Sequence, residues 1–553
     1  MAVYLKQISS LEKVCLYDDI SDLQSVNSYS ALAGQRISYQ VVISAKDVRE
    51  KIKSVWVESP LKESIRLYRV KEVIVDRPSR EPVADENYLL TAPGTLPDVL
   101  VPLEHQQNRV SLNGASPVIW VKLDIPKDTP VGKYFIDFFI ETGLGDDPSP
   151  FESIRMEINI LPAKIPDPTV KYTRWFYADC IADVHSAEIF SERHWALIEE
   201  YIAAATDVGI NMILVPIHTP PLDTEVGTRR PCVQLVDIEK RGDKYFFGFE
   251  KLERFVKICK KHGVKYYEMA HLFSQWGSKC APNIMVSENG KTDYMFGWHI
   301  AATSQEYIEF LKQYIAAVSE ELCRLGISEN TYFHISDEPN TDNIDRYEAA
   351  RNILKPLIAK SKTLDALSHC EFYEKGLVEC PVTSIRHAHE FLKRNVKELW
   401  VYYCCSPERV FPNSFIAMPS ARVRSLGFLI YKYDIKGFLH WGYNFYNAQV
   451  SMYKIDPYLT TSSDGAFPSG DPFIVYPGRD TAYPSIRGEV TFDAMQDIRI
   501  AQALEALAGR EKVIAMIDEA AGRDLRFDDY PATNEFYEGL REKMLAEIAR
   551  LTR

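Results

Sequence analysis

Residues 161–168, Leu161-Pro-Ala-Lys-Ile-Pro-Asp-Pro168, divide the chain into two parts with different sequence patterns. The three prolines of this stretch fix φ and lack a backbone N–H, so they interrupt regular structure and predict a linker. The whole chain has 553 residues. At about 150 residues per domain this length allows three or four domains, and a barrel that runs longer allows two large ones.

The part before the linker, residues 1–165, has the pattern of an all-β domain. Short runs of alternating or β-branched residues are separated by turn clusters rich in proline, glycine and aspartate. The runs cover residues 37–44, 54–58, 65–75, 117–125, 133–141 and 154–161. Many short strands at close spacing predict an antiparallel β-sandwich.

The part after the linker alternates strand-like and helical runs over residues 170–507. The strand-like runs cover residues 172–177, 211–216, 265–271, 331–336, 364–368, 381–385, 398–404 and 436–443. Eight strands, each followed by a helix or connecting segment, predict a (β/α)8 TIM-type barrel. Residues 508–553 are an amphipathic helical pattern and predict a C-terminal helical extension packed on the barrel.

Composition narrows the class of protein. Apolar residues make up 46% and charged residues 25%, which is typical of a folded globular chain. The net charge of −13 argues against a nucleic-acid or anionic-membrane partner, and no apolar run is long enough to span a membrane. The N-terminus lacks a signal-peptide pattern, and ten cysteines without a CxxC motif favour reduced thiols, so a cytoplasmic location is predicted.

The active site of such a barrel lies at the C-terminal ends of its strands. The predicted fourth strand ends in His334-Ile-Ser-Asp337-Glu338-Pro339. Two adjacent acids raise each other's pKa, and a carboxyl with a raised pKa is suited to general acid catalysis near neutral pH. The alternative is an aspartate that caps the next helix, with the glutamate in its first turn.

The other strand ends carry aromatic residues with a few polar groups, as expected of a carbohydrate pocket. For three of these features a structural role is the alternative to a place in the pocket. Asp179 could start a turn, His271 could belong to the core, and the loop over residues 451–480 could be purely structural. His387 and His389 lack an acid or cysteine framework, so neither a metal nor a cofactor is predicted. The candidate substrate-binding residues are Asp179, His271, Trp276, Tyr402, Tyr403, Trp441, Tyr443, Asp471 and Arg479, and Gln275 is a further candidate for the pocket wall.

Glycoside hydrolysis normally needs two carboxyl groups on either side of the bond that breaks. The predicted seventh strand ends in tyrosines and cysteines, and Glu408 is the first acid after it. Neighbouring residues of one strand point to opposite sides, so Asp337 and Glu338 are poorly placed to act as acid and nucleophile. In substrate-assisted hydrolysis the 2-acetamido group of the sugar is itself the nucleophile, and an adjacent Asp and Glu fit the two remaining roles.

The motif His334-Ile-Ser-Asp337-Glu338-Pro339 resembles the catalytic signature of glycoside hydrolase family 123, the N-acetyl-β-galactosaminidases. It also resembles a broader set of bacterial proteins that share the barrel. The resemblance covers roughly residues 170–505. It implies that Asp337 polarises the acetamido group, that Glu338 is the general acid/base, that a tyrosine (Tyr402 or Tyr403) contacts the acetamido group and that Trp441 forms the floor under the sugar. Besides residues 334–339, it rests on Trp175-Phe-Tyr-Ala-Asp-Cys180, Glu268-Met-Ala-His-Leu-Phe-Ser-Gln-Trp276, Gly437-Phe-Leu-His-Trp-Gly-Tyr-Asn444 and Tyr476-Pro-Gly-Arg-Asp480.

The predicted function is therefore a retaining exo-hydrolase that releases β-linked N-acetylgalactosamine from a glycan or glycoconjugate with a terminal N-acetylhexosamine. One alternative is a classical two-carboxylate glycosidase with Asp179, Glu268 or Glu408 as the partner acid. Another is a non-catalytic sugar-binding barrel. The galacto or gluco preference, the aglycone, the oligomeric state and the role of the sandwich, as a glycan-binding module or as a brace, stay open.

Overall fold

The computed structural model describes residues 3–45, 51–80, 85–105, 110–112, 115–143, 151–275, 277–339, 341–358 and 360–552. The N-terminal part forms two five-stranded sheets, in the orders β1-β3-β8-β5-β6 and β2-β10-β9-β4-β7. Their strands are β1 (Val3–Ser9), β2 (Ser28–Ala33), β3 (Arg36–Ala45), β4 (Lys51–Glu58), β5 (Ile65–Val75), β6 (Gly94–Pro102), β7 (Val110–Ser111), β8 (Val118–Asp124), β9 (Gly132–Gly143) and β10 (Phe151–Lys164). The predicted sandwich is confirmed.

Pairing within the sandwich is antiparallel except between β10 and β2, which run parallel. Side chains alternate along the strands, so Ile136, Phe138 and Ile140 of β9 enter the core between the two sheets. β8 is buried on both faces, because the sheet that holds it lies between the second sheet and the barrel. This position explains why Trp120 is fully buried.

The second part forms a closed barrel of eight parallel strands, which confirms the predicted TIM-type fold. The short strands end at a common rim, and the residues after each strand end build that rim. In barrel order the strands are β11 (Lys171–Arg174), β12 (Met212–Val215), β15 (Tyr266–Met269), β18 (Thr331–Phe333), β19 (Lys362–Ala366), β20 (Cys380–Ser384), β21 (Trp400–Tyr402) and β22 (Gly437–His440).

Helices follow the barrel strands and cover them from outside. Ser191 and Ser304 cap the helices after the first and third strands by accepting a backbone N–H of the first turn. The helices are α1 (Ala178–Val184), α2 (Glu192–Asp207), α3 (Glu250–Lys261), α4 (Gln305–Arg324), α5 (Ile344–Leu354), α6 (Glu371–Glu374), α7 (Ala388–Lys393), α8 (Ser420–Lys432), α9 (Ile486–Ala508), α10 (Arg510–Ala521) and α11 (Asn534–Leu551).

Two small sheets were not expected from the sequence. One has four strands in the order β14-β13-β16-β17 and inserts into the loops after the second and third barrel strands. The other is a two-stranded ribbon in the loop after the eighth. The strands are β13 (Asp237–Arg241), β14 (Lys244–Gly248), β16 (Ile284–Glu288), β17 (Lys291–Phe296), β23 (Tyr476–Pro477) and β24 (Ala482–Tyr483).

The C-terminal helices pack on α8 and α9. Phe428 of α8 stacks on Tyr537 of α11 with a ring separation of 5.8 Å. Arg541 of α11 pairs with Asp497 of α9 at 2.6 Å. Within the described residues, no helix is both long and apolar enough to cross a membrane.

Buried ion pairs join the sandwich to the barrel helices. Lys122 of β8 is fully buried and contacts Asp207 at 2.6 Å and Glu489 at 2.7 Å. Asp98 of β6 pairs with Arg487 of α9 at 2.9 Å, and both side chains are buried. Removing one partner of such a pair leaves an uncompensated buried charge, so these pairs fix how the two parts sit together.

The sandwich also holds the long loop that follows the eighth barrel strand, residues 451–480. Asp76, just after β5, accepts hydrogen bonds from Thr460 at 2.5 Å and Ser469 at 3.0 Å. Arg77 donates to the carbonyl of Ala466 at 2.9 Å. The loop at the barrel rim is therefore folded partly by the N-terminal sheets.

Candidate active site

A pocket of about 170 Å³ opens at the C-terminal rim of the barrel. The loops after barrel strands one to four, the ends of strands five, seven and eight, and the long loop after strand eight all contribute to its wall. Its lining residues are Trp175, Tyr177, Leu222, Asp223, Gln275, Asp337, Glu338, Ala366, Tyr402, Cys404, Cys405, Leu439, Trp441 and Phe467. The pocket thus combines three carboxyl groups with several flat aromatic faces.

Asp337 and Glu338 both line this pocket although they are neighbours in sequence. They follow β18, and Glu338 adopts a φ of 42°, in the left-handed region that non-glycine residues rarely enter. In a regular strand the two side chains would point to opposite sides, and the left-handed backbone removes that constraint. Such backbone strain is typical of functional positions.

Burial and neighbouring charges shift the titration of Asp337. Burial and the neighbouring charge of Glu338 raise the pKa of Asp337 well above its ordinary value, and the charge of His334 opposes this. The Tyr402 hydroxyl donates a 2.7 Å hydrogen bond to Glu338 Oε1. Burial, followed by the charge of Glu338, raises the pKa of Tyr402 well above its ordinary value, so this phenol stays a donor.

His334 lies in a buried network below the acid pair. Its Nε2 is 2.8 Å from Glu268 Oε2, and its Nδ1 is 3.4 Å from Asp365 Oδ1. Burial alone would lower the pKa of His334, but hydrogen bonds to Asp365 and Glu268 and their charges outweigh burial and raise it to about 9. His334 is therefore an imidazolium at neutral pH.

One group of possible metal ligands lies in this network, formed by His271, His334 and Asp365. His271 stacks on His334 with ring centres 4.1 Å apart. Both nitrogens of His334 face carboxylates, and an imidazolium has no lone pair to give to a metal. The donor chemistry of this group thus fits a charge network better than a metal site.

We expect the His334→Gln variant to shift the acidic limb of the pH–rate profile to higher pH by about one unit. The imidazolium favours the ionised form of Asp337, so its removal raises the pKa of Asp337 further. At a given acidic pH a smaller fraction of Asp337 is then ionised. The measurement is kcat against pH on a glycoside that the wild-type protein cleaves.

His218→Gln is the matched control for this experiment. His218 is equally buried, but burial lowers its pKa to about 4, so it carries no charge at neutral pH. Its substitution should leave the acidic limb in place. Superimposable profiles for wild type and His334→Gln would contradict the electrostatic role of His334.

Two tryptophans of the pocket wall are held by buried carboxylates. Trp441 Nε1 donates to Asp471 Oδ2 at 3.0 Å, and Trp175 Nε1 donates to Glu268 Oε2 at 3.2 Å. Gly442 is required here, because a Cβ at this position would overlap the backbone oxygen of Asp471. Asp471 is fully buried behind Trp441, so it orients the indole ring and does not line the pocket.

Several predicted substrate-binding residues lie outside the pocket wall. Asp179 is buried and binds Arg230 through two hydrogen bonds, of 2.5 and 2.9 Å. His271 is buried beneath Trp175, with ring centres 5.1 Å apart. Both residues follow barrel strands, but their side chains are taken up by neighbouring groups below the rim.

Of the remaining predicted residues, Tyr403 points away from the pocket because side chains alternate along a strand. Tyr402 faces the pocket, whereas Tyr403 is buried against Phe438 with ring centres 4.9 Å apart. The Tyr443 hydroxyl donates to the backbone of α2, and Arg479 lines a separate depression beside Arg66 of the sandwich. Trp276 lies outside the described residues.

Other pocket residues were not among the predicted substrate-binding residues, although Gln275 was a candidate for the pocket wall. Asp223 and Gln275 lie six to eight residues beyond their strand ends, where strand position no longer predicts orientation. Cys404 and Cys405 lie in the wall, and a hydrogen bond between the two thiols raises the pKa of Cys404 and lowers that of Cys405. Trp175 begins the stretch 175–180 that resembles the family, and its place at the first strand end is the signal that identifies it.

A barrel whose C-terminal rim holds an acid pair beside aromatic walls has the features of a glycoside hydrolase. A family model described as "Glycoside hydrolase 123, catalytic domain" matches residues 175–504, more than half of the 553 residues. The chain therefore belongs to glycoside hydrolase family 123 and is a glycoside hydrolase.

One solved structure shows the same fold over the whole chain. A family 123 glycoside hydrolase from Clostridium perfringens, described in a study of glycolipid glycan hydrolysis, aligns with a TM-score of 0.72 at 14% identity and covers 100% of this chain and 97% of that chain. A family 5 mannosidase from Rhizomucor miehei aligns with a TM-score of 0.34 at 12% identity, over 63% of this chain and 95% of that chain. A comparison with curated protein sequences gave no significant match.

Proposed function

We propose that the protein is a retaining exo-hydrolase that releases β-linked N-acetylgalactosamine by substrate-assisted catalysis. Asp337 orients and polarises the 2-acetamido group, and Glu338 is the general acid/base. The observation that carries the proposal is that these two adjacent acids share one pocket beside Tyr402 and Trp441.

The other acids considered as a catalytic partner are engaged elsewhere, which supports a nucleophile supplied by the substrate. Asp179 is paired with Arg230, and Glu268 is fully buried. Glu408 accepts the backbone N–H of Arg80 at 2.9 Å. None of these three carboxylates lines the pocket. A classical mechanism would need a second carboxyl on the far side of the scissile bond.

Burial and the neighbouring charge of Glu338 favour the protonated form of Asp337 when no substrate is bound. The acetamido N–H of the bound sugar donates to Asp337 and so favours its ionised form. The proton then resides on Glu338, which faces the leaving oxygen. Substrate binding thus assigns the acid and the base within the pair.

In the first step the acetamido oxygen attacks C1, and the bond between C1 and the leaving oxygen breaks. Glu338 gives its proton to that oxygen, and Asp337 stabilises the positive charge of the resulting oxazoline-type ring. In the second step water attacks C1 while Glu338 takes its proton, and the C1–oxygen bond of the ring breaks. Two inversions at C1 leave a β-configured product.

Two aromatic side chains fit the remaining tasks. On substrate binding, the Tyr402 hydroxyl turns its single hydrogen from Glu338 to the acetamido carbonyl. The Trp441 ring, held by Asp471, offers a flat face for the C–H groups of the sugar. The natural partner is then a glycan or glycoconjugate with a terminal N-acetylhexosamine. The galacto configuration rests on the family resemblance.

Hydrolysis of three aryl glycosides tests the proposal. We expect turnover of the β-N-acetylgalactosaminide, less turnover of the β-N-acetylglucosaminide, and none of the plain β-galactoside, which lacks the internal nucleophile. A thiazoline mimic of the cyclised intermediate should inhibit. Turnover of the plain galactoside without thiazoline inhibition would favour the two-carboxylate mechanism, and tight sugar binding without turnover would favour a non-catalytic barrel.

A further inference from the structure

One corner of the pocket holds a buried hydrogen-bond donor that has no partner among the described residues. Gln275 is only 6% exposed, and its Nε2 has no hydrogen-bond partner among the described residues. Its Oε1 accepts the backbone N–H of Asp223 at 2.8 Å. This bond fixes the amide orientation, so the unpaired NH2 group is a donor, and Gln275 is one of the residues that line the pocket.

Asp223 completes this corner with an acceptor. Its Oδ2 accepts the backbone N–H of Val450 at 2.9 Å, while Oδ1 has no hydrogen-bond partner among the described residues. Asp223 has a left-handed φ of 40°, and Ser451 donates to its carbonyl at 2.6 Å. The loops after the second and eighth strands thus hold the carboxyl in place. Burial raises the pKa of Asp223 to about 6.

An unpaired buried amide donor is destabilising, because it has lost its hydrogen bonds to water without gaining a replacement. A hydroxyl group would satisfy both free atoms, because it accepts from Gln275 Nε2 and donates to Asp223 Oδ1 at the same time. Leu222, Trp175 and Tyr177 supply the rest of this side of the wall. The corner is therefore built for a neutral group that is both donor and acceptor.

We infer that Asp223 and Gln275 bind the C4 hydroxyl of the terminal sugar and so set the preference between its galacto and gluco forms. The inference rests on the proposed function, which puts the acetamido group and C1 near Asp337, Glu338 and Tyr402. Gln275 follows the third barrel strand and Tyr402 ends the seventh, so the two stand on opposite sides of the barrel. The ring hydroxyl opposite C1 is the one on C4.

A double-mutant cycle between protein and substrate tests this contact. The substrates are an aryl β-N-acetylgalactosaminide and its 4-deoxy analogue. On the full substrate we expect kcat/KM to fall by about 3- to 10-fold for Gln275→Ala and by about 10- to 100-fold for Asp223→Asn. On the 4-deoxy substrate both variants should match wild type within about twofold, because the partner hydroxyl is already gone.

The same variants should lose selectivity between the two C4 epimers. The ratio of kcat/KM for the N-acetylgalactosaminide and the N-acetylglucosaminide is expected to approach one in both. Gln234→Ala is the matched control, because Gln234 is equally buried but its Nε2 donates to the carbonyls of Val236 and Met285 outside the pocket. It should keep the wild-type ratio and the wild-type response to 4-deoxy substrate.

Equilibrium binding separates this inference from the proposed function. Binding of free N-acetylgalactosamine and its 4-deoxy analogue can be followed through the fluorescence of the pocket tryptophans, Trp175 and Trp441. If the wild type binds the sugar but does not hydrolyse the glycoside, the proposed function fails. The C4 contact is then still decided by the same double-mutant cycle, carried out on the binding constants of the full and 4-deoxy sugars. If the wild type neither binds nor hydrolyses the sugar, the inference falls with the proposed function.

Two results would overturn the inference directly. The first is additive losses, with Gln275→Ala and Asp223→Asn impairing the 4-deoxy and full substrates by the same factor. The second is a fall in kcat for Asp223→Asn by more than about 1,000-fold that azide restores, which would make Asp223 a catalytic carboxylate. Losses of kcat/KM that appear only with the substrate that carries the C4 hydroxyl support the inference.

Discussion

Glu338→Gln is expected to lower kcat on a β-N-acetylgalactosaminide by about 100- to 10,000-fold while the protein stays folded. Glutamine keeps the size of the side chain and still accepts the Tyr402 hydrogen bond, but it neither gives nor takes a proton. The loss should be larger for an alkyl leaving group than for a nitrophenyl one, because a nitrophenolate departs without protonation.

The leaving-group comparison distinguishes loss of the acid from general damage. Glu348→Gln, an exposed position on α5, is the matched control and should retain wild-type activity. Added azide should rescue Glu338→Gln and give the β-glycosyl azide, since azide attacks the cyclised intermediate without needing a base. Wild-type rates with both leaving groups would remove Glu338 from the mechanism.

Asp337→Asn is expected to lower kcat by about 100- to 1,000-fold. The neutral amide no longer offsets the positive charge of the oxazoline-type ring, and its NH2 group opposes the acetamido N–H. The measurements are kcat and inhibition by the thiazoline mimic.

Thiazoline affinity should fall together with kcat, because the inhibitor copies the group that Asp337 stabilises. Asp345→Asn, an exposed aspartate in the first turn of α5, is the matched control. An Asp337→Asn variant that keeps near wild-type activity on an acetamido sugar would contradict the substrate-assisted mechanism.

Much of the fold follows from sequence periodicity. The eight barrel strands are recognised because each is a short apolar run before a helical pattern, and even the weak run at residues 364–368 corresponds to β19 (Lys362–Ala366). Strands at the sheet edge and in the insertions are harder to predict from the sequence. β6 begins at a glycine and contains prolines, and β13 (Asp237–Arg241) is mostly charged, so neither has a strand-like composition.

The acid pair could be predicted from its position after a strand, but the orientation of its neighbours could not. Tyr402 and Tyr403 differ by one residue, and the strand register decides which one faces the pocket. Arg479 belongs to a motif of the long loop, and only the folded loop shows that it faces the sandwich. Asp223 and Gln275 acquire meaning from a missing partner, which a sequence does not reveal.

The contacts of Asp76 and Arg77 with the loop after the eighth barrel strand limit how the two parts of the chain can be exchanged in evolution. That loop brings Phe467 to the pocket and Asp471 behind Trp441. Recombination that exchanged the N-terminal sheets alone would separate the loop from its anchors. We therefore expect the N-terminal sheets and this loop to evolve together. A chimaera with a foreign N-terminal domain needs the matching loop as well.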